Sequence, residues 1–485
     1  MAKWIKNLIM SFCLVGLAVI SFAGCASNLS TFKDNPQKDD VVIGNGTLAV
    51  TKGDYLYFAN GFVSYSEVSD NNFDGKITYS GLYRIKLENG HPVEVEPEKD
   101  EDGNEIFDGS NALENIDVLA KKVVGFEYVG LYILGDYLYY ASPCNEKNGA
   151  MEVESSRVDF FRIKLDRSKS SEWIYTTKSA GSEVKYNAFE SNGTTYITIL
   201  DGKTLIATKY DAKNNKSSKV VSEEVTSVAF CSYNTSASAV ADFSKTLYYT
   251  RDYKEGDGES FASGNVLCKF SLDKVENYDK VYISSDTITL KKASSEKIYY
   301  EKKISTNQSS STSLYAVANE SEIGTTKEEY VHSSYGDFML VSSGNAMIVN
   351  DSTNKEIAVV DNNGNYTKID SVTGTIIATS GNYVYYTDDS NNAIKRADFT
   401  KFANFKEGEE TPTCETLVDS NVKTGSSNYV SVCGEKIFYL KNSEKESGHY
   451  YLNMIDVGSV DAETSKYYEH FVGVLETEDY DTQSE

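Results

Sequence analysis

Seven consecutive residues, Asp70-Asn71-Asn72-Phe73-Asp74-Gly75-Lys76, carry the sharpest chemical suggestion in this chain. Asp70, Asn72 and Asp74 place oxygen donors at alternate positions. They converge when Gly75 lets the backbone turn sharply, and the carbonyl of Lys76 adds another ligand. Thr78 stands two residues further on. This is the first half of a calcium loop, and Ca2+ is the cofactor it predicts. The second half departs from the pattern: position 12 of such a loop calls for a bidentate carboxylate, and here it is Gly81. A plain hairpin turn rich in Asp, Asn and Gly accounts for the same letters, so both readings stand. A weaker acidic copy is Glu98-Lys99-Asp100-Glu101-Asp102-Gly103.

Other chemistries leave less trace. The histidines are His91, His332, His449 and His470, and none has a neighbour at the spacing that builds a local zinc site. Only a fold that brings distant segments together could pair them. Past the first residues the cysteines are Cys25, Cys144, Cys231, Cys268, Cys414 and Cys433, with no C-x-x-C pair to suggest a zinc knuckle or a redox motif. Cys268 and Cys433 sit in strand-like surroundings and read as small packed side chains. One disulfide remains open, with no pairing indicated. There is no G-x-S-x-G, no Walker loop and no dinucleotide fingerprint, so no catalytic residue is assigned. The net charge of −25 becomes more negative once Lys3 and Lys6 are removed with the leader. A surface this acidic repels phosphate backbones, which excludes nucleic acid as a partner.

These residues must be positioned by a repeated element. Gly135-Asp136-Tyr137-Leu138-Tyr139-Tyr140 returns as Gly53 to Phe58, Lys245 to Tyr249, Glu296 to Tyr300, Gly381 to Tyr386 and Gly434 to Tyr439, with weaker copies at Asn192 to Ile199 and Gly336 to Val341. A turn dipeptide followed by β-branched and aromatic residues is a strand leaving a tight turn. A second, alternating strand follows most copies, as in Leu82-Tyr83-Arg84-Ile85-Lys86-Leu87 and Phe160-Phe161-Arg162-Ile163-Lys164-Leu165. Segments before and after this hairpin supply two more strands. Units recur roughly every 40 to 60 residues, the period of a propeller blade, and no helical stretch interrupts them. The fold class is therefore all-β: a single β-propeller of four-stranded antiparallel blades, with eight units counted. Two of the copies are weak, which leaves seven open. The alternatives are a β-sandwich pair or a β-solenoid.

The 36 tyrosines admit a sugar-stacking reading. Most alternate along strands, as Tyr55/Tyr57, Tyr137/Tyr139 and Tyr383/Tyr385 do, which is the placement that packing between blades needs. Together the two repeated strands resemble the YWTD-like propellers of lipoprotein-receptor type. More closely, they resemble propeller domains of unknown function in secreted and lipid-anchored proteins of Firmicutes. The likeness covers roughly residues 47 to 475, with Tyr-Leu-Tyr-Tyr where a Trp stands in the YWTD pattern. It implies a binding or scaffolding role and offers no catalytic residues.

Residues 1–24 read as a targeting segment: Lys3 and Lys6 open it, Leu8 to Phe22 is apolar but short for a membrane span, and Phe22-Ala23-Gly24-Cys25 follows. The last four residues resemble the bacterial lipoprotein cleavage box, which would make Cys25 the lipidated first residue. An ordinary signal peptide with an incidental cysteine is the alternative. Residues 25–46 then read as the lipidated cysteine and a flexible tether, 47–475 as the propeller with an acidic insertion at about 90–120, and 476–485 as a disordered acidic tail. Either Tyr467 to Leu475 or Thr47 to Val50 is expected to complete the other's blade. The resulting expectation is a monomeric lipoprotein at the extracytoplasmic face of the cell membrane. It would bind or scaffold a protein, peptide or glycan and touch the membrane through its lipid anchor only. The alternative is an extracytoplasmic carbohydrate-active enzyme using carboxylates at the propeller channel.

Overall fold

The two-residue turn Gly135-Asp136 shows how each unit begins. Leu134 pairs with Tyr137 across it, and Gly135 takes a φ of 59°. A positive φ at the first central position gives a hairpin turn whose twist suits the flanking strands, and glycine adopts it without steric cost. In the weak copy the turn is Asn192-Gly193, with both residues at positive φ, the mirror-image turn that Asn-Gly favours.

The computed structural model describes residues 31–472 except 61, 64–78, 94–115, 125–129, 145–156, 180–183, 231–245, 258–262, 273–277, 295–296, 306–309, 319–326, 333–336, 342–345, 362–363, 407, 427–428, 443–448 and 461–466. Eight antiparallel sheets form a propeller ring. Blade 1 consists of Val42–Ile43, Ala49–Lys52, Tyr55–Asn60, Tyr79–Lys86 and Asp117–Val124, from the channel outward. Blade 2 runs Tyr132–Leu134, Tyr137–Pro143, Val158–Lys164 and Glu172–Thr176; blade 3 runs Val184–Ser191, Thr194–Asp201, Thr204–Tyr210 and Lys216–Ser222. Blade 4 runs Val225–Phe230, Thr246–Asp252, Asn265–Ser271 and Tyr278–Ser284; blade 5 runs Thr287–Ala293, Lys297–Ser305, Ser310–Ala318 and Glu329–His332. Blade 6 runs Asp337–Leu340, Ala346–Asp351, Glu356–Asp361 and Tyr366–Asp370; blade 7 runs Ile376–Ser380, Tyr383–Asp388, Ala393–Asp398 and Glu415–Val418. Blade 8 runs Val430–Cys433, Lys436–Asn442, His449–Val460 and Tyr467–Phe471.

The blade count is thus eight, and the repeated hairpin is the second and third strand of its blade. Two expectations are corrected. Asp337–Leu340 is the inner strand of blade 6, one strand earlier than the repeat assigns it, and Ala346–Asp351 is the second. Neither terminal segment completes the other's blade: Tyr467–Phe471 is the outer strand of blade 8, and Ala49–Lys52 belongs to blade 1, behind Val42–Ile43. The four main strands of each blade are consecutive, and at the seam the short strand Phe62–Val63, which follows the second strand of blade 1, joins the sheet of blade 8. Val63 pairs opposite His449 and Phe62 opposite Tyr450.

The core is a ring of layers between blades. One apolar cluster joins blades 2 and 3, another blades 4 and 5, another blades 7 and 8, and the largest spans blades 8, 1 and 2. Tyr57, Tyr139, Tyr249, Tyr300, Tyr386 and Tyr439 are almost fully buried, so these tyrosines serve packing, whereas Tyr383 is 37% exposed. The one described helix, Phe399–Ala403, is capped by the Asp398 side chain and buries Phe399 and Phe402. No helix among the described residues is long and apolar enough to cross a membrane.

Candidate functional site

Antiparallel strands alternate in direction. Connections from second to third strand, and from one blade's outer strand to the next blade's inner strand, therefore emerge on one face, called here the handover face. The remaining turns emerge on the opposite, hairpin face.

A cleft lies on the handover face between blades 3 and 4. It holds about 310 Å3 and is lined by Ser222 and Glu224 on one side and by Tyr249, Arg251, Lys254 and Asp257 on the other. Its base is an ion pair: Arg251 Nη2 is 2.6 Å from Asp257 Oδ1, and Nη1 is 2.9 Å from Oδ2. Two parallel bonds fix the plane of the guanidinium. The Lys254 backbone N–H donates to Asp257 Oδ2 at 2.8 Å, which folds the loop over the pair. The Lys254 ammonium bridges the cleft to Glu224 on blade 3. That hydrogen bond and charge hold the Glu224 carboxyl below its usual range. The walls offer fixed charges of both signs, and the outer bridge is exposed enough for a ligand to replace it.

A second polar cluster lies between blades 4 and 5. Glu328 accepts from Tyr282 Oη at 3.1 Å, Tyr300 Oη at 2.7 Å and Lys302 Nζ at 3.0 Å. Lys302 also pairs with Asp286 at 3.0 Å. Burial pulls against the Lys302 ammonium, but the two carboxylates outweigh it and hold its pKa at about 12. Tyr282, Tyr300, Tyr315 and Tyr330 follow one another at ring separations of 6.1, 6.4 and 5.7 Å. Every group here has partners inside the protein, so this cluster reads as a tie between blades.

The residues singled out from sequence fall unevenly. Cys25 and the calcium-loop residues Asp70, Asn72, Asp74, Lys76 and Thr78 lie outside the described residues, as does 94–115 of the acidic insertion. The described ends flanking 64–78 are on the handover face, and those flanking 94–115 are on the hairpin face. Cys414 and Cys433 are free thiols, and burial pushes the Cys433 thiol up to about 11. Among the described residues no group of three or more His, Cys, Asp or Glu side chains could hold a metal ion.

The ring does bring two distant histidines together. His91 and His470 have ring centroids 4.9 Å apart at the hairpin face of the seam, and His91 Nε2 is 3.5 Å from Asp456 Oδ2. Burial, followed by the neighbouring His470, lowers the pKa of His91 from 6.5; Lys436 adds to this and Asp456 opposes it. The folded protein therefore binds this proton less readily than the unfolded chain. No penalty exists well above pH 6.5; it grows as pH falls below 6.5 and is complete once pH lies below the depressed value. The urea midpoint is expected to fall between pH 7 and 5, with a shallower fall in His91→Asn. An equal slope in both proteins would overturn the assignment.

Sequence reasoning also missed a repeated rung across three strands. Tyr57, Arg84 and Asp117 stand opposite one another in blade 1, Tyr139, Arg162 and Glu172 in blade 2, and Tyr385, Arg396 and Glu415 in blade 7. Each arginine pairs with its acid, at 2.8, 2.5 and 2.6 Å. The signal was the arginine recurring in the third strand. In blade 1 the rung also receives the N-terminal segment: Arg84 stacks 3.6 Å above Phe32, and the Phe32 N–H donates to Asp166 O at 3.0 Å.

No family model matches the sequence, and no curated relative is similar to it. Among solved structures, the chain is similar to the β-propeller domain of the trilobed protease from Pyrococcus furiosus, at 12% identity over 67% of this chain and 91% of that one, with a TM-score of 0.39. It is similar to AztD from Citrobacter koseri at 10% identity, over 87% of this chain and 95% of that one, with a TM-score of 0.42. Prolyl oligopeptidase B from Galerina marginata matches at 10% identity and a TM-score of 0.42, over 72% of this chain and 51% of that one, so the chain spans about half of that enzyme. These likenesses concern the propeller fold alone.

Proposed function

We propose that this protein is a lipid-anchored, extracytoplasmic binding propeller that takes a polar ligand, a protein, peptide or glycan, at its handover face. The observation that carries the reading is the cleft between blades 3 and 4, with Arg251 and Asp257 locked at its base and Lys254 and Glu224 bridging its mouth. Fixed donors and acceptors in a concave site orient a ligand without any chemical step. The residue pattern at Phe22-Ala23-Gly24-Cys25 supports the anchor. The alternative of a carboxylate-based enzyme draws no support from the acids among the described residues: those whose proton affinity shifts, Asp34, Asp166, Asp201, Asp211 and Glu224, all move downward. A general acid needs the opposite shift.

The test is a peptide and glycan array probed with the wild-type chain and with Lys254→Ala/Glu224→Ala. The exposed pair contributes little to folding, so the variant should keep its melting temperature and lose about tenfold in affinity for any ligand found, roughly 1.4 kcal/mol. Ligands that bind both proteins equally would place the site elsewhere. In cells, Cys25→Ser should abolish palmitate labelling and release the chain from the membrane fraction.

A further inference from the structure

We propose that the hairpin face of blades 1 and 2 is the side of this protein that rests on lipid headgroups, held there by an N-terminal strap, so that the cleft on the handover face opens away from the bilayer. The inference rests on the anchor proposed at Cys25 and adds an orientation to it. From Phe32 to Ile43 the chain is bound to the ring. Two guanidinium groups lie against the Phe32 ring, with Arg84 Cζ 3.6 Å and Arg167 Cζ 5.2 Å from its centroid. A cation shielded from water gains from an aromatic face, and Arg167 Nη2 is buried with no hydrogen-bond partner. The Phe32 N–H donates to Asp166 O at 3.0 Å. The Asn35 amide donates to Phe32 O at 3.1 Å and accepts from Arg84 Nη1 at 2.8 Å. Asp34 accepts from Arg84 Nη2 through its carbonyl at 2.8 Å and from Lys86 Nζ through its carboxylate at 2.9 Å. Further along, the Gly53 N–H donates to Val41 O at 3.3 Å, and Val42 pairs opposite Lys52.

These partners share one face. Asp166 follows the third strand of blade 2, Lys86 ends Tyr79–Lys86 in blade 1, and Gly53 belongs to the turn after Ala49–Lys52. All three positions are on the hairpin face. The strap crosses that face from blade 2 over blade 1 toward the channel, so its N-terminal end lies there too. From Cys25 to Phe32 there are 32 − 25 = 7 residues, about 25 Å of chain at full extension. The strand Tyr79–Lys86, eight residues long, by itself spans about 26 Å between the two faces. A lipid on Cys25 therefore reaches a bilayer from the hairpin face, whereas turning the handover face to the membrane would spend the whole reach on passing round the blade. Charge does not set this orientation, because the exposed Lys33, Lys38 and Lys169 stand on this face beside Asp39, Asp54 and Asp136. Covalent reach sets it, so it should persist at high salt.

Energy transfer from the protein to the membrane tests the proposal. The mature lipoprotein is placed in phosphatidylcholine vesicles whose headgroups carry an acceptor dye. A donor sits on Asp54→Cys, in an exposed turn of the hairpin face, or on Lys203→Cys, in an exposed turn of the handover face, with the unsubstituted chain as the labelling blank. Transfer from the first should be several-fold the stronger, in low and high salt alike. Inserting about twenty Gly and Ser residues after Leu29 lengthens the tether without touching the strap, and should bring the two efficiencies together. Amide exchange of the full chain is the second readout: the Phe32 N–H should be protected as blade 1 is. Equal transfer from the two sites of a vesicle-bound chain, or more from Lys203→Cys, overturns the orientation and leaves the anchor standing. So does a Phe32 amide that exchanges as freely as in an unfolded chain. A chain that carries no fatty acid and does not float with the vesicles overturns the anchor and the orientation together.

Discussion

Arg162→Ala is expected to destabilise the ring by about 3 kcal/mol, within the range for emptying a large, well-packed buried site. The side chain is 2% exposed. Its guanidinium lies 4.1 Å from the centroid of Tyr137 and 3.6 Å from that of Tyr210, between a ring of blade 2 and a ring of blade 3. Its Nε and Nη2 donate to Glu172 Oε2 at 2.8 and 2.5 Å, and its Nη1 donates to Asn214 of blade 3 at 3.2 Å. Truncation removes two cation–π contacts, each roughly 1 kcal/mol when shielded from water. It also removes charge-assisted hydrogen bonds and opens a void between the blades. Glu172 is partly exposed and can rehydrate, which limits the loss. Arg162→Lys should recover only part of it, because an ammonium neither stacks flat between rings nor donates as a fork. Glu172→Ala should cost a comparable amount by leaving the buried guanidinium without its carboxylate. Urea unfolding of the three variants is the measurement. A change below about 1 kcal/mol for Arg162→Ala would mean that the rung is ornamental and that apolar layers alone join blades 2 and 3.

Arg162 also marks where the sequence could be read and where it could not. Its neighbours Phe161, Ile163 and Leu165 alternate with polar residues, and that alternation places the strand. Gly135-Asp136 places the turn before the preceding strand, because the first central position needs a positive φ. Local rules of this kind reach across one hairpin, so the blades and their order were legible. They do not say how far from the axis a strand lies. Asp337-Phe338-Met339-Leu340 has the letters of a second strand and is an inner one. The cleft was not legible, because Glu224, Arg251 and Asp257 meet only when one blade is set beside the next. The same holds for His91 with His470: whole blades separate them in the sequence, and no periodicity links them. The tyrosines show the intermediate case. Their alternation gave the buried layers, while Trp173 and Tyr330, 48% and 55% exposed on outer strands, escape the pattern.

Gly130→Ala is expected to cost about 3 kcal/mol, at the upper end of overpacking penalties, because it strikes the device that closes the ring. A Cβ on Gly130 would lie 2.1 Å from the carbonyl carbon and oxygen of Gly46 and 2.6 Å from the nitrogen of Thr47. All three are backbone atoms and cannot swing aside. The segment they belong to joins three blades. Toward blade 2, the Gly46 N–H donates to Leu131 O at 2.7 Å and the Leu131 N–H to Thr47 O at 2.9 Å. The Asn45 amide continues this pairing, accepting from the Ile133 N–H at 2.7 Å and donating to its carbonyl at 3.1 Å. Toward blade 8, Thr47 Oγ1 donates to Ser431 Oγ at 2.7 Å, and Ser431 Oγ donates to Ala49 O at 2.8 Å. Beside the short strand Phe62–Val63, which pairs with blade 8, residues 45–49 act as the keystone of the handover face, as the His91 cluster does on the hairpin face. A methyl at Gly130 wedges blade 2 from this keystone while leaving the eight sheets intact. The expected signature is therefore a lower urea midpoint together with faster amide hydrogen exchange at Gly46 and Leu131, while amides inside blades 4 to 6 keep their protection. Uniform loss of protection around the ring would instead mean that closure is spread evenly over all eight interfaces, and the keystone would lose its special place.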